Sequence, residues 1–157
     1  MLVSAIGSVG EDLTAFGEQL KKRMTKEDQK KLSDLEKRKT MPEHELKQII
    51  YPYYLYDRSN ITKLTDTTIN EVANQRICKD IEENYHIIDK LTLLSDIPIF
   101  ILQGEYDLIT TGMLKTSLLS YVPHAQLETY DQSGHWPFIE ETEKFLKQTK
   151  AFFLTNE

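Results

Sequence analysis

A continuous apolar run in the second half of the chain constrains the fold more than any other feature. It comprises six residues without a polar side chain, Ile97-Pro98-Ile99-Phe100-Ile101-Leu102. The run is too short for a typical helix and is rich in β-branched residues, which is typical of a strand covered on both faces. The sequence therefore predicts a central parallel strand with helices on both sides of the sheet.

Two further segments are predicted to form neighbouring strands. The first runs from Met1 to Ile6 and is closed by Gly7, and the second runs from Ala125 to Tyr130. Apolar residues at helical spacing follow the central strand and again follow the last one, so that strands and helices alternate. This alternation predicts an α/β fold with about three parallel strands and flanking helices.

The segment between the first two strands has the pattern of several short helices. Three pairs of residues resemble helix start signals: Ser8 with Glu11, Thr25 with Asp28, and Thr40 with Glu43. From Thr67 to about Glu83, apolar residues recur at spacings of three and four, which predicts an amphipathic helix with one buried face. The residues of that face are Ile69, Val72, Ala73, Ile77 and Ile81.

Composition excludes several classes of protein. With 157 residues, 39% of them hydrophobic and 28% charged, the chain has the make-up of one globular domain. A net charge of -6 argues against a nucleic-acid partner. The single cysteine, Cys78, excludes an internal disulfide and a cysteine-based metal site. We expect a cytoplasmic protein with no metal, no cofactor and no membrane partner, because neither an export signal nor a membrane-spanning run is evident.

A carboxylate and an imidazole follow the last two predicted strands. Asp107 lies in the turn after the central strand, and His135 lies in the loop after the third. The carboxyl ends of parallel strands meet at one edge of a sheet, where ligands bind, so we expect the two side chains to approach each other. Together they have the chemistry of the two assisting members of a nucleophile triad, in which the acid orients the imidazole and the imidazole transfers the proton.

The residues around this pair resemble the last third of the α/β-hydrolase family. The resemblance rests on Ile97-Pro98, on Gly104-Glu105-Tyr106-Asp107, and on Gly134-His135-Trp136-Pro137-Phe138 followed by Glu140. It implies that residues 1–7 and 84–157 form the C-terminal part of a hydrolase core and that residues 8–83 form a helical cap, or lid. It also implies that the first five strands and the nucleophile elbow of a complete hydrolase are absent.

A nucleophile for this pair is not evident in the sequence. In the family the serine lies in a Gly-x-Ser-x-Gly elbow, and none of the eight serines has glycine at both flanking positions. Ser8 comes nearest, with Gly10 after it but Ile6 before it. We therefore expect the chain alone to be inactive.

Within the family, the chain most resembles the proline iminopeptidases, also called prolyl aminopeptidases. Those enzymes use two acidic residues to hold a substrate amine, and Gln75 and Leu108 stand at the corresponding positions. A neutral ester, lactone or amide is therefore as good an expectation for the substrate as an N-terminal peptide bond. Tyr53, Tyr54 and Trp136 are candidates for lining the substrate site, although core packing is an alternative for the two tyrosines.

Three functional hypotheses follow. The chain is the acid- and base-bearing C-terminal fragment of a serine hydrolase, a folded non-catalytic remnant or interaction module, or one half of a split enzyme. The resemblance also implies that the first strand pairs with a strand outside this chain. An unpaired apolar strand recruits another chain, so we expect either a homo-oligomer or a complex with the missing N-terminal half.

Overall fold

The computed structural model describes residues 1–5, 7–38, 42–65 and 70–155. Within these ranges, three strands form one parallel sheet in the order β1-β2-β3. The strands are β1 (Leu2–Val3), β2 (Phe100–Gly104) and β3 (Gln126–Tyr130). Helices lie before, between and after β2 and β3. The predicted α/β class with about three parallel strands and flanking helices is therefore confirmed.

The helices are numbered along the chain. Those before β2 are α1 (Glu11–Arg23), α2 (Lys26–Arg38), α3 (Glu43–Ile49), α4 (Glu71–Asn84) and α5 (Ile88–Leu91). Those after it are α6 (Thr111–Leu114), α7 (Pro137–Glu140) and α8 (Thr142–Thr155). Short 3₁₀ turns cover Tyr51–Tyr53, Arg58–Lys63 and Thr92–Leu94, and a π-helical turn at Lys115–Leu119 extends α6.

The two faces of β2 bury different sets of side chains. On one face, Ile99 and Ile101 pack with Leu91, Leu118 and Val122. On the other, Phe100 and Leu102 pack with Tyr130, and Phe145 and Phe152 of α8 cover them. A third apolar cluster joins α1, α2 and α3 to Leu108, the residue after Asp107. The predicted division into core and cap stays a prediction.

The first two strands are shorter than predicted. Pairing of β1 with β2 covers Leu2 and Val3 only, and Ile6 lies outside the described residues. The central strand begins at Phe100 rather than Ile97, whose side chain is 51% exposed. Pro98 accounts for this late start, because proline lacks the N–H that a central strand donates to its neighbour.

The helix start signals have different outcomes. Thr25 caps α2, since its hydroxyl accepts the Asp28 N–H at 3.1 Å. The pairing of Ser8 with Glu11 is wrong: Gly10 precedes α1, and the Asp12 carboxylate accepts the N–H groups of Ser8 and Val9 at 3.0 and 3.3 Å. Asp12 therefore takes the role expected of Glu11, whose carboxylate would have accepted the Ser8 N–H. Thr40 lies outside the described residues.

The predicted buried face of α4 is also wrong. The helix begins at Glu71, capped by Asn70, while Thr67 and Ile69 lie outside the described residues. Val72 and Ile77 are 60% and 59% exposed. The last turn of α4 packs closely against the start of α1, where the Gly10 N–H bonds to the Tyr85 carbonyl. The helix thus docks through its carboxyl end and leaves much of its apolar stripe in solvent.

Candidate active site

The loops after β2 and β3 bring Asp107 and His135 into contact. Nδ1 of His135 lies 3.0 Å from Oδ2 and 3.2 Å from Oδ1 of Asp107. The Asp107 side chain is fully buried, whereas the His135 side chain is 25% exposed. An ionised carboxylate can only accept hydrogen bonds, so this geometry requires the proton on Nδ1 and leaves Nε2 as the free ring nitrogen.

The buried Asp107 carboxylate is surrounded by donors. The backbone N–H groups of Leu108 and Ile109 donate to Oδ1 at 2.6 and 3.4 Å. The Gln103 amide donates to Oδ2 at 2.8 Å and also to the Ile109 carbonyl at 2.8 Å. These hydrogen bonds give the buried carboxylate the partners it needs and fix its orientation toward His135.

Arg23, the last residue of α1, holds the acid loop from outside. Its guanidinium donates to the Tyr106 carbonyl and, at 2.8 Å, to the Asp107 carbonyl. The guanidinium also lies 4.5 Å from the centre of the Tyr106 ring. A residue from the helical segment therefore fixes the backbone that carries the acid.

The backbone around His135 is packed too closely to admit a side chain. A Cβ atom at Gly104, the end of β2, would lie 2.0 Å from the Gly134 carbonyl oxygen. A Cβ atom at Gly134 would lie 2.0 Å from the Tyr54 carbonyl oxygen. The end of β2, the histidine loop and the Tyr54 backbone thus form three touching layers, and glycine at both positions makes this possible.

Aromatic rings surround the exposed side of His135. Tyr54, Trp136 and Phe16 have ring centres 5.5, 5.7 and 5.9 Å from the imidazole centre. Tyr51 extends the group, with ring centres 5.5 Å from Trp136 and 5.8 Å from Tyr54. Burial raises the pKa of the Tyr54 hydroxyl well above its ordinary value, and Tyr51 and Asp107 act in the same direction, so this phenol stays neutral. The rings form an apolar wall beside a polar pair.

Of the residues predicted to line the substrate site, the structure places some beside His135 and others away from it. Tyr54 and Trp136 lie beside His135, but Tyr53 is only 3% exposed, and its hydroxyl donates to Asp28 at 2.7 Å. Tyr53 therefore packs within the helices, as the alternative interpretation held. Leu108 is fully buried in the same helical cluster and contributes its N–H, not its side chain, to the pair. Gln75 is exposed on α4.

Three residues of this region were missed in the sequence. Gln103 could have been found, because the two-residue period from Ile99 and Ile101 puts it on a buried face four residues before Asp107. Arg23 and Phe16 give no such signal, since they reach the site from a distant helix.

The serine hydroxyls near this site are engaged elsewhere. Ser4 Oγ donates to the His135 carbonyl at 2.6 Å, Ser133 Oγ donates to Glu141 at 2.7 Å, and Ser8 Oγ donates to the Ser117 carbonyl. Ser8, with 0% exposure, is out of reach of solvent. Across residues 1–5, 7–38, 42–65 and 70–155, no hydrogen bond joins a serine hydroxyl to the His135 ring.

The described part of the chain forms neither a metal site nor a membrane-spanning helix. There, no group of three or more His, Cys, Asp and Glu side chains is arranged to bind a metal ion. None of the helices described is long and apolar enough to cross a membrane.

Comparison with known proteins gives a likeness to a solved structure. No family model matches the chain, and no curated protein matches it. Among solved structures it is similar to a serine hydrolase from the polyaromatic hydrocarbon-degrading bacterium Cycloclasticus zankles, with 22% sequence identity and a TM-score of 0.48. The match covers 75% of this chain and 47% of that one, so the chain spans about half the length of the hydrolase it resembles.

Proposed function

We propose that this chain supplies the acid–base pair of a serine hydrolase. The proposal rests on one observation, the contact of Nδ1 of His135 with both oxygens of the fully buried Asp107 carboxylate. In this role, Nε2 of His135 takes the proton of a serine hydroxyl as its oxygen attacks a carbonyl carbon. Asp107 keeps the imidazole in the required tautomer and stabilises the imidazolium that forms.

The proton balance of the reaction follows from this assignment. When the tetrahedral intermediate collapses, the bond to the leaving oxygen or nitrogen breaks, and the leaving group takes the proton from Nε2. Water then attacks the acyl-serine, with His135 as its base, and releases the carboxylic acid and the free serine. Asp107 itself takes no proton in these steps.

The substrate we propose is a small, neutral, partly apolar ester or amide. The rings of Phe16, Tyr54 and Trp136 provide an apolar wall next to the imidazole, which suits an apolar acyl or alkyl group. Leu108 stands where a proline iminopeptidase has an acid, and it is buried away from the pair. A substrate without a positive charge is therefore favoured over an N-terminal amine.

The serine in this proposal comes from a segment outside the 157 residues, either in the same protein or in a partner chain. Strand β1 offers a place for it, because β1 is at the edge of the sheet and pairs with β2 alone among the described strands. In the family that the sequence resembles, a further strand lies on this edge. We propose that the serine-bearing segment adds there.

The test uses a serine-directed fluorophosphonate on two samples. One is the recombinant 157-residue chain, and the other is the chain recovered by antibody from its native cells with the chains bound to it. We expect no label on the first and one labelled serine in the second, lost when His135→Ala replaces the native residue and retained with the exposed control His44→Ala. Label on a serine of the chain itself, or an unlabelled native sample, contradicts the proposal and favours a non-catalytic role.

A further inference from the structure

Glu140, the last residue of α7, joins two parts of the chain that are far apart in sequence. Its Oε2 accepts the N–H groups of Gly134 at 2.7 Å and Tyr56 at 3.2 Å. Its Oε1 accepts the Asp57 N–H at 3.0 Å and the Asn60 side-chain amide at 3.4 Å. One carboxylate therefore links the loop that carries His135 to residues 56–60.

The same two regions meet a second time at the neighbouring residue. The His135 N–H donates to the Tyr54 carbonyl at 2.7 Å. Both backbone N–H groups next to the imidazole, those of Gly134 and His135, thus end on the Tyr54–Asn60 segment, one through Glu140 and one directly. The position of the imidazole relative to Asp107 depends on where that segment lies.

The hydrogen bonds that Glu140 accepts are stronger than those between neutral groups. Hydrogen bonds from N–H groups to a carboxylate are about twice as strong as those between neutral groups. The Tyr56 and Asp57 N–H groups are followed by the 3₁₀ turn Arg58–Lys63, so Glu140 fixes the start of that turn as well. Removing the carboxylate leaves these donors to water and removes one of the two links, so that the histidine loop is joined to the segment by the His135–Tyr54 backbone hydrogen bond.

We propose that Glu140 is a positioning residue that holds His135 against Asp107 by tying the histidine loop to the Tyr54–Asn60 segment. It acts through the backbone of Gly134, so its effect is on the geometry of the pair. The catalytic meaning of this inference rests on the function proposed above for His135 and Asp107. That Glu140 fixes the position of His135 relative to Asp107 is inferred from the contacts of Glu140 alone.

Glu141 provides a matched control. It carries the same charge, is the next residue, and holds the same loop through the Gln132 N–H at 3.0 Å and the Ser133 hydroxyl at 2.7 Å. Both of these partners lie in the loop after β3. Loss of Glu141 therefore loosens the loop without cutting its link to residues 54–60.

The experiment measures the His135 imidazole by NMR in Glu140→Ala, Glu140→Gln and Glu141→Ala. In the unchanged chain we expect the Nδ1 proton to give a downfield resonance that exchanges slowly with water, because a buried carboxylate accepts its hydrogen bond. We expect its exchange rate to rise at least tenfold in Glu140→Ala. Glu140→Gln should give a smaller rise, because the amide oxygen still accepts hydrogen bonds without the charge. The rate should stay within twofold of the unchanged chain in Glu141→Ala.

The outcomes separate positioning from a general loss of stability. Urea unfolding of each variant identifies any that do not fold. If Glu140→Ala does not fold, the exchange rate in Glu140→Gln tests the inference instead. An unchanged Nδ1 resonance in the Glu140 variants, or an equal change in Glu141→Ala, overturns the inference. The exchange measurement needs no turnover, so the two proposals can fail separately. An unlabelled native sample contradicts the proposed hydrolase function but not the positioning role of Glu140. An unchanged Nδ1 resonance contradicts the positioning role but not the hydrolase function.

Discussion

The backbone of Gly134 runs so close to Tyr54 that a Cβ atom on Gly134 would lie 2.0 Å from the Tyr54 carbonyl oxygen. The obstacle is backbone, which cannot rotate away as a side chain can. Gly134→Ala must therefore push the histidine loop away from the helical segment. We expect a loss of stability of about 1–3 kcal/mol, the usual cost of overpacking. Urea unfolding followed by the fluorescence of Trp136, the single tryptophan, measures it.

Gly17 is a control for this substitution, because the same change to alanine there meets open space. It lies within α1, and a Cβ atom there would meet nothing within 4 Å. Gly17→Ala should raise stability by about 0.5–1 kcal/mol, because alanine loses less backbone entropy in a helix. If Gly134→Ala is as stable as the unchanged chain, the close packing of the two backbones is wrong.

Gln103 should affect stability through the charge of Asp107. Gln103→Leu removes the donor to Oδ2 of Asp107 and to the Ile109 carbonyl, which costs about 1–3 kcal/mol for buried groups left without partners. Oε1 of Gln103 has no partner among the described residues, so its removal offsets part of that cost. We expect a loss near the lower end of the range in the same urea assay.

Gln103→Glu distinguishes charge from packing at this position. It keeps the size of the side chain but places a second carboxylate beside the buried Asp107. At neutral pH we expect a larger loss than for Gln103→Leu, and part of it should be recovered as the pH falls, because a protonated glutamate can donate again. A loss that does not depend on pH would show that the Asp107 carboxylate is not charged when buried.

The sequence predicted the elements that are determined locally. The apolar run around Ile99 and the polar turn after it identify a buried strand and its carboxyl end, and β3 is followed by its own polar loop. These two facts suffice to place Asp107 and His135 at one edge of a parallel sheet. Arg23 and Phe16 could not be assigned, because their contacts with this edge depend on how α1 packs.

Two of the points that the sequence left open or predicted wrongly have physical reasons. Tyr53 and Tyr54 are adjacent in a tight turn, where periodicity does not tell which ring faces the site; one lies against His135 and the other is bound to Asp28. The stripe on α4 indicates which face of the helix an apolar neighbour would cover. The pattern does not show whether such a neighbour is present in this chain, and Ile77 stays largely exposed.

Tyr53 should make the stability of the chain depend on pH through Asp28. The hydrogen bond from the Tyr53 hydroxyl is the largest cause that holds the pKa of Asp28 below its ordinary value. A carboxyl group with a lowered folded-state pKa stabilises the fold above its unfolded-state pKa, and this stabilisation is lost as the pH falls through the folded-state value. Tyr53→Phe removes that contribution.

The measurement compares Tyr53→Phe with the unchanged chain at pH 7 and pH 3. We expect the variant to be about 1.5 kcal/mol less stable at pH 7, as for a hydrogen bond to a charged group, and the difference to shrink at pH 3. Tyr121→Phe is the control, since that side chain is 44% exposed. An equal difference at both pH values would mean that the Tyr53 hydroxyl acts through the Thr25 N–H that it accepts at 3.1 Å and not through the charge of Asp28.

The edge of the sheet at β1 should make the isolated chain associate. Strand β1 pairs with β2 on one side, and Met1 and Leu2 are 43% and 41% exposed. An apolar cavity of about 200 Å³, lined by Leu2, Ala5 and Ile99 among others, opens beside it. Free strand edges and uncovered apolar surface both favour binding to another chain. We therefore expect a dimer or larger assembly in sedimentation at micromolar concentration, with binding of a hydrophobic dye.

Leu2→Lys should shift this assembly toward monomer and reduce dye binding, because a charged side chain on an edge strand opposes the approach of a second strand. Val72→Lys introduces the same charge on α4, at a side chain that is 60% exposed, and should leave sedimentation unchanged. If both variants sediment alike, association does not involve β1. If the unchanged chain is a stable monomer that binds little dye, the edge needs no partner, and the proposal that a serine-bearing strand adds there loses its structural support.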